Sequence, residues 1–185
     1  MFSPPGFIIH IFLVFVRNLN KSDRIIVFYK QREREVTNMT VHHYIGSPYE
    51  LPTGSFGVKE KLITIYEKEE DAYGISVNRL TDGYSDIKHV FTLPYIYELS
   101  CDTHPKSIRE LFTYIEEQLI EGCHIELYSC LDGDEAKEKD SSLDTSINLK
   151  TLYFGKHYQL DKKKYIYELG ELFTFEDKQF VVVVK

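Results

Sequence analysis

Cys101, His104 and Cys130, with the carboxylates of Asp102, Asp132, Asp134 and Glu135, are the residues whose types and spacing point to chemistry. A zinc site asks for Cys and His in a tetrahedral array; Cys101-x-x-His104 and Cys130 supply three ligands, and an acidic residue the fourth. Magnesium would instead take the oxygen donors of Asp102, Asp132 and Asp134. A thiol mechanism would pair Cys101 with His104 as its base, and a helix N-terminus close by would lower the thiol pKa. On that reading Cys101, His104 and Asp132 are the catalytic candidates. The same residues also read as scaffold, because cysteine is among the most buried residue types and Asp-Gly-Asp after a strand is ordinary turn chemistry.

Bringing these residues together requires the stretch Leu93–Cys130 to fold as strand, helix, strand. Ile108, Leu111, Phe112, Ile115 and Leu119 recur at helical spacing, with Arg109, Glu110, Glu116, Glu117 and Gln118 on the other side. Pro105 suits the first turn, Thr103 the cap, and Gly122 a left-handed stop. A helix over 105–121 rises about 25 Å, matching flanking strands of seven or eight residues. That length predicts a crossover with its two strands paired in parallel. Cys101, His104, Cys130 and Asp132 would then share one edge of the sheet, where ligands of open α/β sheets bind. Cys123, seven residues back along its strand, is left about 23 Å away. Ile125 and Leu127 alternate with His124, Glu126 and Tyr128, which predicts helices on one face only.

With 43% hydrophobic and 28% charged residues over 185 positions, the chain is an ordinary globular domain, and 14 Tyr with 12 Phe favour strands. The predicted fold is α+β: strand-rich, mostly antiparallel sheet, with one principal amphipathic helix in a β-α-β crossover. A net charge of −7 argues against phosphate and nucleic-acid binding and suits a basic partner or simple solubility. Three cysteines without paired spacing point to a reducing cytosol and no disulfide framework.

Residues 1–38 differ from the rest. Phe7–Val16 is too short for a membrane span and lacks the basic flank and cleavage site of a signal peptide, so it reads as a buried strand, with Arg24–Lys30 as a second. A rival reading comes from back-translation: Glu33–Asn38 can be encoded as a ribosome-binding sequence ahead of the Met39 codon, which makes Met39 a candidate native start. Residues 39–185 would then carry 16 basic and 26 acidic side chains and form the single α+β domain.

Along that domain, 41–46 reads as a strand, and the Gly-rich loop after it is followed by strand rather than helix, which excludes a phosphate loop. Residues 61–67 and 73–78 read as a hairpin, then 87–92 as a strand after the Thr81-Asp82-Gly83 turn. Residues 131–147, with six acidic side chains and two lysines, read as a solvated, mobile loop. The segments 149–154, 164–169, 171–175 and 179–184 read as strands, with Gly170 at a bulge and the apolar terminal run in the sheet interior. His42 and His43 point to opposite faces of their strand. Tyr95 with Tyr97, and Tyr165 with Tyr167, each line one strand face and suit cross-strand packing or an aromatic partner-binding patch.

Two functions follow. The first is a non-enzymatic cytosolic module of bacterial type, immunity- or antitoxin-like, that binds a basic macromolecule through Tyr95, Tyr97, Asp134 and Glu135, with no cofactor. The second is a small hydrolase, thiol- or zinc-dependent, at the Cys101/His104/Cys130/Asp132 edge.

Overall fold

The computed structural model describes residues 40–57, 73–80 and 85–185. The expectations for 1–38, for the 61–67 arm of the hairpin and for the Thr81-Asp82-Gly83 turn lie outside the described residues. Residues Thr40–Lys185 cluster as one unit. Its strands are β1 Val41–Ser47, β2 Gly54–Phe56, β3 Ile75–Arg79, β4 Tyr95–Cys101, β5 His124–Leu131, β6 Thr145–Asn148, β7 Tyr153–Phe154, β8 Tyr158–Gln159 and β9 Phe180–Val184. Among the described residues there are also two α-helices, α1 Pro105–Gln118 and α2 Tyr165–Leu172, and a 3-10 turn at Ser85–Val90. The fold is α+β.

The nine described strands belong to one sheet, in the order β2-β3-β4-β1-β5-β9-β6-β7-β8. Every neighbouring pair is antiparallel except β6 with β9. β4 and β5 are therefore not paired with each other: β1 lies between them, antiparallel to both. The two strands joined by α1 run in the same direction, one strand apart. This corrects the expectation of a directly paired crossover, which chain length alone favours because a 14-residue helix reaches across one strand or two equally well.

Alternation along the strands sorts side chains onto two faces. Ile45, Val77, Tyr97, Leu99, Ile125, Leu127, Val181 and Val183 point to one face and pack with Ile108, Leu111, Phe112 and Ile115 of α1 and Leu169 of α2. Each of these fully buried α1 side chains contributes roughly 1.5–3 kcal/mol. Both α-helices cover that face. The other face carries a smaller core of Tyr44, Tyr128, Cys130 and Phe180 under Ile87, Val90 and Phe91. Those three residues fall at i, i+3 and i+4, which is why 85–90 closes as a helical turn rather than the expected strand.

Further departures from the expected elements have local causes. Residues 165–172, expected as parts of two strands, fold instead as helix α2, because Ile166, Leu169, Gly170 and Phe173 form one apolar face toward α1, and 173–175 follow as irregular chain rather than strand. Gly170 is a close-packing residue and not a bulge: a Cβ there would lie 2.7 Å from the Pro105 carbonyl oxygen and 2.5 Å from Arg109 Cγ. Helix α1 begins at Pro105 as expected but is capped by His104, whose Nδ1 accepts from the Lys106 N–H at 3.2 Å. It ends at Gln118, short of Gly122. The Tyr49 hydroxyl terminates it by donating to the Gln118 carbonyl at 2.8 Å and accepting from the Ile120 N–H at 2.9 Å. Residues 149–154 split into a turn and β7, with Leu152 at φ 61°. The terminal β9, apolar on both faces, lies between β5 and β6 in the sheet interior.

Candidate functional site

Cys101 and Cys130 do not meet. The registers place Cys130 opposite His42 and Leu99 opposite His43 on the intervening β1, so the two cysteine backbones lie two strand spacings apart, about 10 Å. Their side chains also leave the sheet on opposite faces, Cys101 into the helix-side core and Cys130 into the other. One ion cannot be bound by both. The Zn²⁺ set of Cys101, His104 and Cys130 is thereby dispersed.

The thiol pair fares no better on geometry. Cys101 Sγ faces the Asp102 carbonyl at 3.4 Å, while His104 is committed to capping α1 and stacks on Tyr73 at 3.7 Å between centroids. Burial, aided by the Asp102 charge, pushes the Cys101 thiol up to about 12, opposite to the lowering expected from a nearby helix terminus. Cys130 is also pushed up to about 12, by burial and then by Glu135, Asp177, Asp134 and Asp132. Asp102 is exposed, and its Oδ1 accepts from the His104 N–H at 2.7 Å as part of the cap.

Of the proposed binding residues, Tyr97 is only 1% exposed, and its hydroxyl accepts from the Leu51 N–H at 2.8 Å. It is a core residue. Tyr95 is half-buried against the same core, with the Arg79 guanidinium 5.7 Å from its ring centroid. Tyr165 and Tyr167 sit on α2 rather than on a strand: the first donates to the Glu116 carboxylate, and the second is exposed beneath the Arg109 guanidinium at 4.9 Å. Asp134 and Glu135 follow the end of β5 and are half-buried.

What the structure assembles instead is centred on His42. As expected from alternation, the two adjacent histidines part. His43 turns inward to Ser129 and Phe175, and His42 lies half-exposed on the face away from the α-helices. His42 Nε2 is 3.6 Å from Asp132 Oδ1, and its Nδ1 is 3.8 Å from Glu98 Oε1. One donor atom each from His42, Asp132 and Glu135 lie within 4.8 Å of one another. The sequence offers no local signal for this grouping. His42 and Asp132 are far apart along the chain and meet only through the β1–β5 register, in which Val41 opposes Leu131.

The acidic segment after β5 is tied down. The Asp132 N–H donates to the Thr40 carbonyl at 2.8 Å, and Gly133 at φ 83° turns the chain so that the Asp134 N–H reaches the Leu131 carbonyl at 2.9 Å. Asp134 is flanked by Lys137 and Lys178, and the Lys137 hydrogen bond holds its carboxyl below the usual range. Further along, the Asp140 N–H donates to the Lys178 carbonyl at 3.1 Å, Asp140 Oδ1 accepts from Ser142, and the Lys139 ammonium sits 4.3 Å from the Phe180 ring centroid. A solvated run is thus held in turns against the sheet. Among the described residues no helix is long and apolar enough to cross a membrane. Comparison with protein-family models, with curated proteins and with solved structures gave no significant match, so the chain's function rests on its own geometry.

Proposed function

We propose that this chain is a non-enzymatic binding module that captures a basic macromolecule on the acidic segment 131–147. One observation carries the reading: the six carboxylates of that segment stand on a backbone held by hydrogen bonds to Thr40, Leu131 and Lys178. A charged surface held in place loses little conformational entropy on binding and steers an oppositely charged partner. Both lysines of the segment are already occupied by Asp134 and Asp144, which leaves a negative field outward. The partner is a protein with a basic surface rather than a nucleic acid, whose phosphates this charge repels. Three cysteines without paired spacing support a reducing cytosol as its setting.

Affinity capture from the native host, with wild type and the double variant Glu135→Lys/Glu138→Lys side by side, tests this. The expected result is one basic protein retained in stoichiometric amount by wild type, released by salt and absent from the variant. Recovery of no partner, or of one indifferent to the charge reversal, overturns the reading.

A further inference from the structure

The His42 cluster has the donors, the orientation and the surroundings of a metal site. His42 contributes an imidazole nitrogen, and Asp132 and Glu135 contribute one carboxylate oxygen each, all within 4.8 Å. Around a bound ion with bonds of about 2.0–2.2 Å, neighbouring donors stand roughly 3–3.5 Å apart, so the three need to close by a little over an ångström. Two of the three follow directly on β5, on a turn pinned by backbone bonds to Thr40 and Leu131, and the third sits on the paired strand β1.

Glu98 supplies what such a site needs behind its histidine. It lies on β4, diagonal to His42 on the same sheet face, with its carboxylate 3.8 Å from Nδ1. A carboxylate there holds the ring proton on Nδ1 and leaves the Nε2 lone pair free to face Asp132 and an ion.

A second, independent observation comes from Tyr128. This side chain is fully buried, and its hydroxyl has no hydrogen-bond partner among the described residues. It leaves the same sheet face as His42, two residue pairs along the ladder: Tyr44 opposes Tyr128 where His42 opposes Cys130. Its phenol lies in the field of Cys130, Asp177, Asp134 and Glu135. An orphan hydroxyl of this kind costs about 1–3 kcal/mol. Of the three ligands, Glu135 is the one whose charge acts on this phenol, and water on an ion held there, which keeps open coordination positions, would offer the hydroxyl a partner.

The geometry points to a single binding site for a divalent transition-metal ion, with His42, Asp132 and Glu135 as ligands and Glu98 as the residue that positions His42. The imidazole decides the class: carboxylates alone suit Mg²⁺ or Ca²⁺, whereas a nitrogen donor favours Zn²⁺, Mn²⁺ or Fe²⁺. This site shares only Asp132 with the cysteine edge and needs no macromolecular partner.

The test is titration of the chelator-treated full chain with Zn²⁺ by calorimetry, and with Co²⁺ by absorption. The expected result is one equivalent of Zn²⁺, a Co²⁺ spectrum without thiolate-to-metal charge transfer, and at least tenfold weaker binding in His42→Gln and in the exposed variant Asp132→Asn. Glu98→Gln weakens binding about 10–100-fold, as loss of a carboxylate behind a metal-bound histidine does. Mg²⁺ competes only weakly. Binding unchanged by His42→Gln, a thiolate charge-transfer band, or no Zn²⁺ uptake at millimolar concentration each overturns the site. Unfolding midpoints of the metal-free variants equal to wild type exclude misfolding as the cause. His42→Gln leaves the acidic segment intact, so metal loss with partner capture retained separates this site from the protein-binding surface.

Discussion

His43 Nδ1 lies 2.9 Å from Ser129 Oγ, the two residues being directly opposed on β1 and β5, and the imidazole stacks on Phe175 with centroids 3.9 Å apart. A histidine in this position is held neutral. Burial, with a smaller contribution from His42, lowers its pKa to about 4.

That relationship sets a pH dependence of stability. Between about pH 6.5 and pH 4 the unfolded chain binds a proton at His43 that the folded chain does not, so stability falls as pH falls through this window. The full effect is of order 3 kcal/mol. Urea unfolding midpoints measured from pH 7 to pH 4 check it: the double variant His43→Leu/Ser129→Ala loses less stability over this range than wild type. Identical slopes would show that His43 titrates normally.

Gly170 is where α2 rests on α1, against the Pro105 carbonyl and the Arg109 stem. Gly170→Ala gains roughly 1 kcal/mol of helix propensity yet forces the backbones apart. Overpacking of this kind costs about 1–3 kcal/mol, so the expected outcome is net destabilisation, read as a lower thermal midpoint. A stabilised variant would mean that the two helices have room to separate.

The buried thiols should be silent. Cys101 and Cys130 are buried and pushed up to about 12, whereas Cys123 is half-buried. A disulfide reagent at neutral pH is expected to modify no thiol of the described region but Cys123, and all three once denaturant is added. Fast labelling of Cys101 in the native protein, located by peptide mass, would restore it as a candidate nucleophile.

Tyr49 closes the C-terminal end of α1 through two hydrogen bonds, to the Gln118 carbonyl and from the Ile120 N–H. Tyr49→Phe removes both while keeping the ring, at a cost of about 1–3 kcal/mol. Amide exchange at the last turn of α1 is expected to accelerate with it. Unchanged exchange there would assign the helix end to the backbone bond from the Leu119 N–H to the Ile115 carbonyl at 2.8 Å.

What the sequence determined alone is what depends on near neighbours. The 3.6-residue stripe from Ile108 to Leu119 specifies α1 and its buried face, Pro105 its start, and the alternation in β1 that His42 and His43 leave it on opposite faces. The α+β class follows from the same periodicities. Short runs with two compatible periods went the other way: Tyr165 and Tyr167 suit a strand face, but Leu169, Gly170 and Phe173 suit a helix face, and packing against α1 decides between them. Only the tertiary structure decided the candidate site. Inserting β1 between β4 and β5 separates Cys101 from Cys130 and puts them on opposite faces, while the same register carries His42 to Asp132 and Glu135. Strand order is set by which long-range pairing buries the most apolar surface, and that is a property of the whole chain rather than of any local pattern.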